Sequence, residues 1–424
     1  MDKFSIEGPS IIRGKVKISG SKNSSLPILA ATLLFNEPVT IKNLPRVKDI
    51  NTMIILLRSL GSKVILSNDR RTAKIHNKKR LKTFASYSLV KTMRGSILVL
   101  GPLVAKYFKS KISLPGGCLI GARPINYHLD ALKKLGMNYI LKDGYILAKS
   151  SGKLKGRIIK FPKISVGATE NCIIAACLAK GTTTLKNCAI EPEIKDLTNF
   201  LNSAGAKITW KGRLCKIVGV VSLHKTEHSV MADRIEAGTF CVAATVSRGN
   251  LDILNFDGSI IKTELNLLKR FGAKIKINKQ KISIRGPKNI KSIQNIKTKE
   301  YPGVSTDMQS QLMVLMCKAN GISSIIENIF ENRFMHVAEL RRLGAKINID
   351  KNKAIIHGNT KFVGAELMSS DLRASVSLVL AAMVSKGKSI INRIYHLDRG
   401  YENIENKLKR IGVRIKRLKK WKNI

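Results

Sequence analysis

A short phrase recurs six times along the 424 residues, and this repetition narrows the possible folds more than any other property of the sequence. Each copy has an apolar-rich segment that ends in Leu-Gly or a close variant, followed by a short basic segment. The glycines of the six copies are Gly61, Gly136, Gly205, Gly272, Gly344 and Gly412. Their intervals of 75, 69, 67, 72 and 68 residues predict repeated structural units.

The residues around each glycine predict a mixed α/β module. Apolar residues before the glycine recur every three or four positions, as Leu197, Phe200 and Leu201 do, and this period predicts a helix with one buried face. Because glycine can adopt the left-handed backbone that ends a helix, we expect it to turn the chain into the next strand. In a chain of this length, six modules are expected to form two domains of three modules each, with the boundary near residues 220–235.

The chain is strongly basic, with 76 lysine and arginine residues, 28 acidic residues and a formal net charge of +48. Such a charge can indicate nucleic-acid binding, because basic side chains neutralise phosphates. The basic residues are nevertheless spread along the whole sequence, and aromatic residues that could stack on bases do not alternate with them. We therefore predict no nucleic-acid partner and expect the positive field to attract anionic substrates.

Neither a signal peptide nor a membrane span is indicated by the sequence. The opening residues include acids, and the longest apolar runs, such as 375–384, are about half of the ~20 residues that a span needs. We expect a cytoplasmic protein without membrane insertion. Seven cysteines without a CxxC pair argue against both a disulfide framework and a zinc site.

One cysteine has unusual surroundings. Cys118 lies in the segment LPGGCLIGARP, residues 114–124, whose adjacent glycines give the backbone the freedom that a substrate-covering loop needs. Nearby Arg123 favours the thiolate, so this thiol is placed to titrate and react. The other cysteines lie in apolar or strand-like stretches and are interpreted as buried small hydrophobes: Cys172, Cys177, Cys188, Cys215, Cys241 and Cys317.

Charged residues recur in the loops that follow the first strand of each module. Lys22 and Asn23 stand ahead of an apolar helix whose N-terminus can attract an anion, although a solvated helix cap would have the same sequence. Later loops add Arg94, Asp307, Arg333, Asp371, Arg373 and Arg399. Each alone could be a solvated charge or an arginine paired with a local aspartate. Together they place arginines beside acidic residues. Because the planar guanidinium group suits phosphate and carboxylate ligands, this pattern indicates an anionic substrate that carries a phosphate and a carboxylate.

Six segments in order resemble one family over almost the whole chain: GSKNSSLPIL, LPGGCLIGARP, SVGATEN, VSTDMQSQ, ENRFMH and DLRAS. This family comprises the UDP-N-acetylglucosamine 1-carboxyvinyltransferases, enolpyruvyl transferases that open peptidoglycan synthesis. The resemblance implies a two-domain inside-out α/β barrel of six βαβ-type units, with sheets inside and helices partly outside. It also implies one domain of residues 22–232 and another of residues 1–21 and 233–424.

The resemblance further implies a reaction. The enolpyruvyl group of phosphoenolpyruvate would pass to the 3′-hydroxyl of UDP-N-acetylglucosamine with release of phosphate, without a metal or organic cofactor. Cys118 would protonate C3 of the donor, and Asp307 would act on the hydroxyl proton. Members with a cysteine in this loop are targets of the epoxide phosphonate fosfomycin.

Roles in binding also follow from the resemblance. Lys22, Arg123 and Arg399 would hold phosphoenolpyruvate, with Asn23 beside Lys22. The residues implied in binding the UDP-sugar are Arg94, Arg123, Pro124, Ile125, Asn126, Tyr127, Lys163, Ile164, Ser165, Val166, Asp307 and Ile329. The pattern of charged loops, and not the resemblance, adds Arg333, Asp371 and Arg373 to the predicted substrate site. The sequence departs from the family at Asn126, where Asp is usual, and at Tyr127, which is bulkier than the usual residue.

Two alternatives share some of these features. The shikimate-pathway enolpyruvyl transferase has the same fold and donor, but it lacks the PGGC loop and needs no nucleotide site. A basic nucleic-acid-binding scaffold descended from the enzyme would have lost the acid and the anion-binding residues, which are present here. We therefore expect small-molecule substrates as partners. The sequence does not fix the oligomeric state, and a monomer is favoured.

Overall fold

The computed structural model describes residues 1–114, 116 and 125–419. They form two compact units, one of residues 1–19 and 232–419 and one of residues 20–114, 116 and 125–231. The described residues of each unit contain three modules, each built on a four-stranded sheet. None of the helices within these ranges is long and apolar enough to cross a membrane.

The sheets of residues 20–231 share one strand order. A short edge strand runs parallel to the second strand, and the third and fourth strands are antiparallel to their neighbours. In sheet order, the described strands are Glu227–Ser229, Val39–Lys42, Ala73–Asn77 and Ser62–Leu66; Phe84–Ala85, Lys109–Ser113, Tyr145–Lys149 and Asn138–Lys142; and Ile158–Lys160, Thr182–Lys186, Leu214–Val218 and Lys207–Lys211. The α-helices are Lys22–Ala31, Lys48–Leu60, Tyr87–Val90, Leu100–Tyr107, Asn126–Lys134, Val166–Ala176 and Pro192–Ser203, and the 3₁₀ helices are Thr32–Leu34 and Arg94–Val99.

The other unit repeats this order, and the first residues of the chain complete two of its sheets. In sheet order, the described strands are Arg13–Lys17, Asn250–Leu254, Lys281–Arg285 and Lys274–Asn278; Ile296–Lys297, Ile322–Ile326, Lys353–His357 and Lys346–Asp350; and Glu366–Met368, Gly387–Asn392, Lys3–Gly8 and Arg414–Leu418. The α-helices are Arg234–Val246, Lys262–Arg270, Gln309–Lys318, Val337–Arg342, Leu372–Met383 and Ile404–Arg410, and the 3₁₀ helices are Gly258–Ile261, Thr306–Met308 and Ile394–Arg399.

The repeated glycine ends a helix in every module described. Its φ is 104, 107, 93, 106, 100 and 101° at Gly61, Gly136, Gly205, Gly272, Gly344 and Gly412. After helix Asn126–Lys134, the Gly136 amide donates to the Lys133 carbonyl at 2.9 Å and the Met137 amide donates to the Leu132 carbonyl at 3.1 Å. These two bonds close the helix end in the way that a left-handed glycine allows. The prediction for these glycines is confirmed.

Gly136→Ala is expected to lower the free energy of unfolding by about 1–2 kcal/mol, because a Cβ is strained at positive φ. An added Cβ would meet no atom within 4 Å, so the cost is conformational and not steric. Gly136→Asn should cost less, since asparagine tolerates this backbone region better than alanine. Urea unfolding of the three proteins measures the difference, and equal stability of the glycine and alanine forms would contradict the assignment.

The order of layers within each unit differs from the predicted one. Helix Arg234–Val246 is buried at every residue, and helix Leu372–Met383 at every residue after the first. Strands such as Ala73–Asn77 instead alternate between buried and exposed residues. A helix enclosed on all sides must lie inside, whereas an alternating strand covers it with one face and turns the other to solvent. The expectation of sheets inside is therefore wrong, because the central helices are enclosed and the sheets cover them. Helices with one exposed face, such as Lys48–Leu60, do lie partly outside, as expected.

Candidate active site

Many of the residues predicted to bind substrate lie at the N-terminal ends of the enclosed helices. Side-chain oxygens accept hydrogen bonds from backbone amides at these ends, and the capping residues are Ser21, Ser165, Asp233 and Asp371. Ser305 caps the 3₁₀ helix Thr306–Met308 in the same way. The N-terminus of a helix attracts anions, because its first amides have no partner within the helix. The repeat therefore places the same anion-attracting feature at the start of successive central helices.

In the unit of residues 20–231, Lys22 is the first residue of helix Lys22–Ala31 and Asn23 the second. The Lys22 ammonium lies 3.4 Å from Oδ2 of Asp49, whose side chain is only 5% exposed. Asp49 is the second residue of the next helix, Lys48–Leu60, and was not singled out from the sequence. This nearly buried carboxylate fixes the position of the lysine, because an ion pair shielded from water is held more firmly than an exposed one.

The two segments predicted to bind the nucleotide belong to neighbouring parts of this unit. Asn126 is exposed at the start of helix Asn126–Lys134, between the half-buried Ile125 and Tyr127. A cavity of about 540 Å³ is lined by Tyr127, Phe161 and Pro162, together with Lys133, Lys134 and Lys160. The segment 163–166 follows this lining, with Lys163 exposed and Ile164 half-buried.

Asn171, in the SVGATEN segment, connects the helices that carry these candidates. Its Oδ1 accepts from the Gly101 amide at 2.8 Å, and its Nδ2 donates to the Ile97 carbonyl at 3.0 Å. Nδ2 also lies 3.2 Å from Nδ1 of His128. Ile97 belongs to the 3₁₀ helix that begins at Arg94. We infer that Asn171 positions the segments after Arg94 and Asn126 and contributes no direct chemistry.

In the other unit, Asp307 lies between two arginines. Its Oδ1 accepts a hydrogen bond from Nη2 of Arg333, and its Oδ2 accepts from Nη2 of Arg373 at 3.0 Å. Burial alone would lower the pKa of Arg373, but the nearby Asp307 outweighs burial and raises it, so the guanidinium stays charged. The side chains of Arg333 and Arg373 are 5% and 6% exposed, whereas that of Asp307 is 26% exposed. Asp307 is therefore the member of this cluster that a substrate can reach.

Asp371 and Ile329 are held by other contacts. Asp371 accepts from the amides of Arg373 at 2.8 Å and Ala374 at 3.1 Å, so it caps the helix that carries Arg373. The Ile329 amide donates to Glu327 at 2.8 Å, and the other oxygen of Glu327 accepts from Thr306 at 3.0 Å. Glu327 was not singled out from the sequence, yet this nearly buried carboxylate joins the Ile329 segment to the turn that carries Asp307.

His336 is a further buried residue beside this cluster. One ring nitrogen is hydrogen-bonded to the Arg333 backbone, and Nε2 has no hydrogen-bond partner among the described residues. Burial lowers the pKa of His336 to about 4, although Asp371 acts in the opposite direction. The imidazole is therefore neutral at neutral pH and does not add charge beside the arginines. Its donor role fixes the backbone of Arg333.

Protonation of His336 is expected to destabilise the fold in mild acid. Its folded-state pKa lies below the ordinary 6.5, so the unfolded chain binds the proton first as the pH falls. The stability is complete above about pH 6.5 and decreases towards pH 4, with a loss of about 2 kcal/mol between pH 7 and pH 5. In His336→Asn this loss should disappear, because asparagine keeps a donor and does not titrate.

Denaturant unfolding at pH 7 and pH 5 measures this effect. The matched control is His224→Asn, since the His224 side chain is 67% exposed. The control should retain the pH dependence of the original protein. If His336→Asn retains it equally, another group is responsible.

Known proteins resemble this chain along almost its whole length. The family model for EPSP synthase (3-phosphoshikimate 1-carboxyvinyltransferase) matches residues 6–408. The UDP-N-acetylglucosamine 1-carboxyvinyltransferase of Pelagibacter ubique (strain HTCC1062) is 61% identical over 419 residues, which are 99% of this chain and 100% of the relative. The chain belongs to the UDP-N-acetylglucosamine 1-carboxyvinyltransferase family. A member from Acinetobacter baylyi (strain ATCC 33305 / BD413 / ADP1) is 46% identical over 99% of this chain and 100% of its own length.

Solved structures show that the fold extends beyond the UDP-N-acetylglucosamine 1-carboxyvinyltransferase family. The enolpyruvyl transferase NikO from Streptomyces tendae matches with a TM-score of 0.88 and 22% identity, over 98% of both chains. EPSP synthase from Acinetobacter baumannii matches with a TM-score of 0.78 and 18% identity, over 99% of this chain and 100% of that chain. The predicted fold class, an α/β enolpyruvyl transferase fold, is confirmed.

For a member of the UDP-N-acetylglucosamine 1-carboxyvinyltransferase family, the thiols matter because one of them is the predicted acid. All six cysteines in the described ranges are buried and free. Burial raises the pKa of Cys177, Cys188 and Cys317 to about 12, so these thiols are protonated and unreactive. The interpretation of the six as buried hydrophobes is confirmed. Cys118, Arg123 and Pro124 lie outside the described residues.

Proposed function

We propose that this chain transfers the enolpyruvyl group of phosphoenolpyruvate to the 3′-hydroxyl of UDP-N-acetylglucosamine and releases phosphate. The proposal rests above all on 61% identity over nearly full length with a curated enzyme of that name. The cluster of Asp307 with Arg333 and Arg373 supports it, because this cluster presents a reachable carboxylate between fixed cations. The product would be the first intermediate of peptidoglycan synthesis. A cytoplasmic location for this step stays a prediction.

The first half of the reaction is an addition. As the 3′-oxygen of the acceptor bonds to C2 of phosphoenolpyruvate, its proton passes to Asp307. The electron pair of the C2–C3 double bond takes a proton from the Cys118 thiol, and C3 becomes a methyl group. The result is a tetrahedral ketal that still carries the phosphate. A thiol near its ordinary pKa of about 8.5 is largely protonated at neutral pH and can serve as this acid.

The second half is an elimination. A proton leaves C3 and returns to the Cys118 thiolate, the C2–C3 double bond forms again, and the bond between C2 and the phosphate oxygen breaks. The proton held by Asp307 passes to the departing phosphate, so both side chains return to their initial states. One phosphate is therefore released for each enolpyruvyl ether formed.

Asp307 can act as the base while it stays bound to both arginines. Both of its oxygens accept hydrogen bonds from arginines, and the bond to Arg373 measures 3.0 Å. Each carboxylate oxygen has a second lone pair, so the acceptor hydroxyl can bind to Asp307 while both arginine contacts remain.

The positive side chains stabilise the charge that phosphoenolpyruvate brings and the charge that phosphate carries away. Lys22, Arg123 and Arg399 are the proposed ligands of the donor, with Asn23 beside Lys22. Lys22 lies at the start of a helix, where the first amides add to the attraction for an anion. Cations fixed before the reaction stabilise the transition state without having to reorganise. The segments 125–127 and 163–166, with Arg94 and Ile329, are the proposed ligands of the UDP-sugar.

The test is identification of the product. Purified protein, phosphoenolpyruvate and UDP-N-acetylglucosamine should give the enolpyruvyl ether of the sugar nucleotide, detected by mass spectrometry, with an equal amount of phosphate. Phosphate without the ether would indicate hydrolysis and contradict the proposal. A protein heated until it unfolds is the control for uncatalysed release.

A further inference from the structure

Arg417 makes ion pairs with three carboxylates at the edge of the sheet formed by Lys3–Gly8 and Arg414–Leu418. Its guanidinium contacts both oxygens of Asp398, at 2.6 and 3.1 Å. It also donates to Glu405 at 2.8 Å and to Asp2 at 3.3 Å. Hydrogen bonding to Asp398 raises the pKa of Arg417 above its ordinary value, so its charge is permanent.

Asp398 is the immediate neighbour of Arg399, the proposed ligand of phosphoenolpyruvate. Both close the 3₁₀ helix Ile394–Arg399, and the next residue, Gly400, lies against the side chain of Leu372. Leu372 starts the helix that Asp371 caps. The segment that Arg417 holds is thus packed on the end of the helix that carries Arg373.

We propose that Arg417 is a positioning residue for Arg399, which it serves by holding the Asp398 carboxylate and cancelling part of the local negative charge. The inference rests on the proposed function, in which Arg399 binds phosphoenolpyruvate. Among the described residues, Arg417 itself makes no hydrogen bond or ion pair with a residue proposed to bind substrate.

The guanidinium of Arg417 also balances the charge of the carboxylates that it contacts. Without the guanidinium, the carboxylates of Asp2, Asp398 and Glu405 would lose their shared counter-charge, and Asp398 directly precedes Arg399 in the chain. Asp398 would then be free to compete with the donor for Arg399, and all three charges would repel an anionic substrate. The side chain of Arg417 is only 22% exposed, so solvent screens these interactions incompletely.

Glu405 is held by the same guanidinium. One carboxylate oxygen accepts from Arg417, and Oε2 is buried without a hydrogen-bond partner among the described residues. Loss of Arg417 would leave Glu405 as an uncompensated and largely buried charge, which favours rearrangement of this segment. The backbone at both ends, Arg393 with φ 56° and Asn403 with φ 44°, is left-handed, so the segment depends on its tertiary contacts to keep this shape.

The experiment measures KM for each substrate and kcat for phosphate release in Arg417→Gln, Asp398→Asn and the double variant. Arg417→Gln should raise KM for phosphoenolpyruvate about tenfold, because coupled charges of this kind interact by one to a few kcal/mol. The KM for UDP-N-acetylglucosamine should change less than about twofold, as expected where no contact is shared. Adding Asp398→Asn should bring KM for phosphoenolpyruvate back to within about threefold, since the carboxylate next to Arg399 is gone and only those of Asp2 and Glu405 remain without the guanidinium.

Arg414→Gln is the matched control. Arg414 lies on the same strand and faces Glu7 at 3.8 Å, but the two side chains are 60% and 61% exposed. An exposed pair contributes little, so this variant should leave both KM values unchanged. If Arg417→Gln does not fold, Arg417→Lys keeps the charge but not the two-oxygen contact, and a smaller rise in the same KM is expected.

The outcomes separate this inference from the proposed function. A lower unfolding temperature of Arg417→Gln with unchanged KM for phosphoenolpyruvate would reduce Arg417 to a structural role and overturn the inference. Failure of Asp398→Asn to restore that KM would also overturn it. If Arg399→Gln leaves KM for phosphoenolpyruvate unchanged, the assignment of Arg399 fails and the inference fails with it. If KM rises in Arg399→Gln but not in Arg417→Gln, only the role of Arg417 is overturned.

Discussion

Asp307→Asn is expected to lower kcat by a factor on the order of 10²–10³, because a positioned general base contributes that much to proton transfer. The amide keeps an oxygen that can accept from Arg373 but cannot take the proton of the acceptor hydroxyl. Binding of UDP-N-acetylglucosamine should be retained better than activity, since the two arginines stay in place. Steady-state kinetics and calorimetric titration of the nucleotide measure the two effects separately.

The control for Asp307→Asn is Asp252→Asn. Asp252 also forms an ion pair, with Lys281 at 2.8 Å, and its side chain is 23% exposed against 26% for Asp307. Each variant therefore replaces one ion-paired carboxylate of similar exposure. If the loss of any such ion pair lowered kcat, kcat would fall in both variants. Complete loss of nucleotide binding in Asp307→Asn would show that this residue has a structural role and would contradict its assignment as the base.

Cys118→Ala is expected to remove most turnover, by a factor on the order of 10² or more, since the six described cysteines are buried and cannot supply the proton to C3 in its place. Cys118→Ser should behave similarly, because a hydroxyl is a far weaker acid than a thiol. Cys177→Ala is the control: this thiol is buried, and it contacts the Ile173 carbonyl at 3.3 Å. Equal losses of kcat in the Cys118 and Cys177 variants would defeat the assignment of Cys118.

Labelling provides a second measurement on the same thiol. Fosfomycin should alkylate Cys118, and peptide mass spectrometry should locate the adduct in the segment 114–124. The described cysteines are shielded, since burial raises the pKa of Cys177 and Cys317 to about 12 and leaves little thiolate to react. An adduct on any of these cysteines would contradict the account.

Local patterns in the sequence were sufficient to predict the repeated module and the glycine that ends its helix. The spacing of the glycines and the apolar period before them depend on neighbouring residues, and Gly136 and Gly344 have the predicted positive φ. The predicted layer order came from the family resemblance, and the local patterns could not correct it. The stripe of Leu197, Phe200 and Leu201 belongs to helix Pro192–Ser203, which is apolar on one face only, and it says nothing about the enclosed helices at the centre of each unit.

The side-chain contacts that organise the candidate site could not be predicted from local sequence patterns, because the paired residues are far apart in the sequence. Lys22 pairs with Asp49 across 27 residues, Asp307 with Arg373 across 66, and Arg417 with Asp2 across 415. The resemblance supplied Lys22, Asp307 and the arginines, but not Asp49, Glu327, His336 or Arg417. These side chains act on other side chains, and only the folded chain brings the partners together.

The acceptor substrate distinguishes the proposed activity most directly from that of the shikimate-pathway enolpyruvyl transferase. Phosphate release from phosphoenolpyruvate should be measured with UDP-N-acetylglucosamine and, separately, with shikimate 3-phosphate at equal concentration. The account predicts rapid release with the sugar nucleotide and no release above background with shikimate 3-phosphate. Release that depends on shikimate 3-phosphate and not on UDP-N-acetylglucosamine would contradict it.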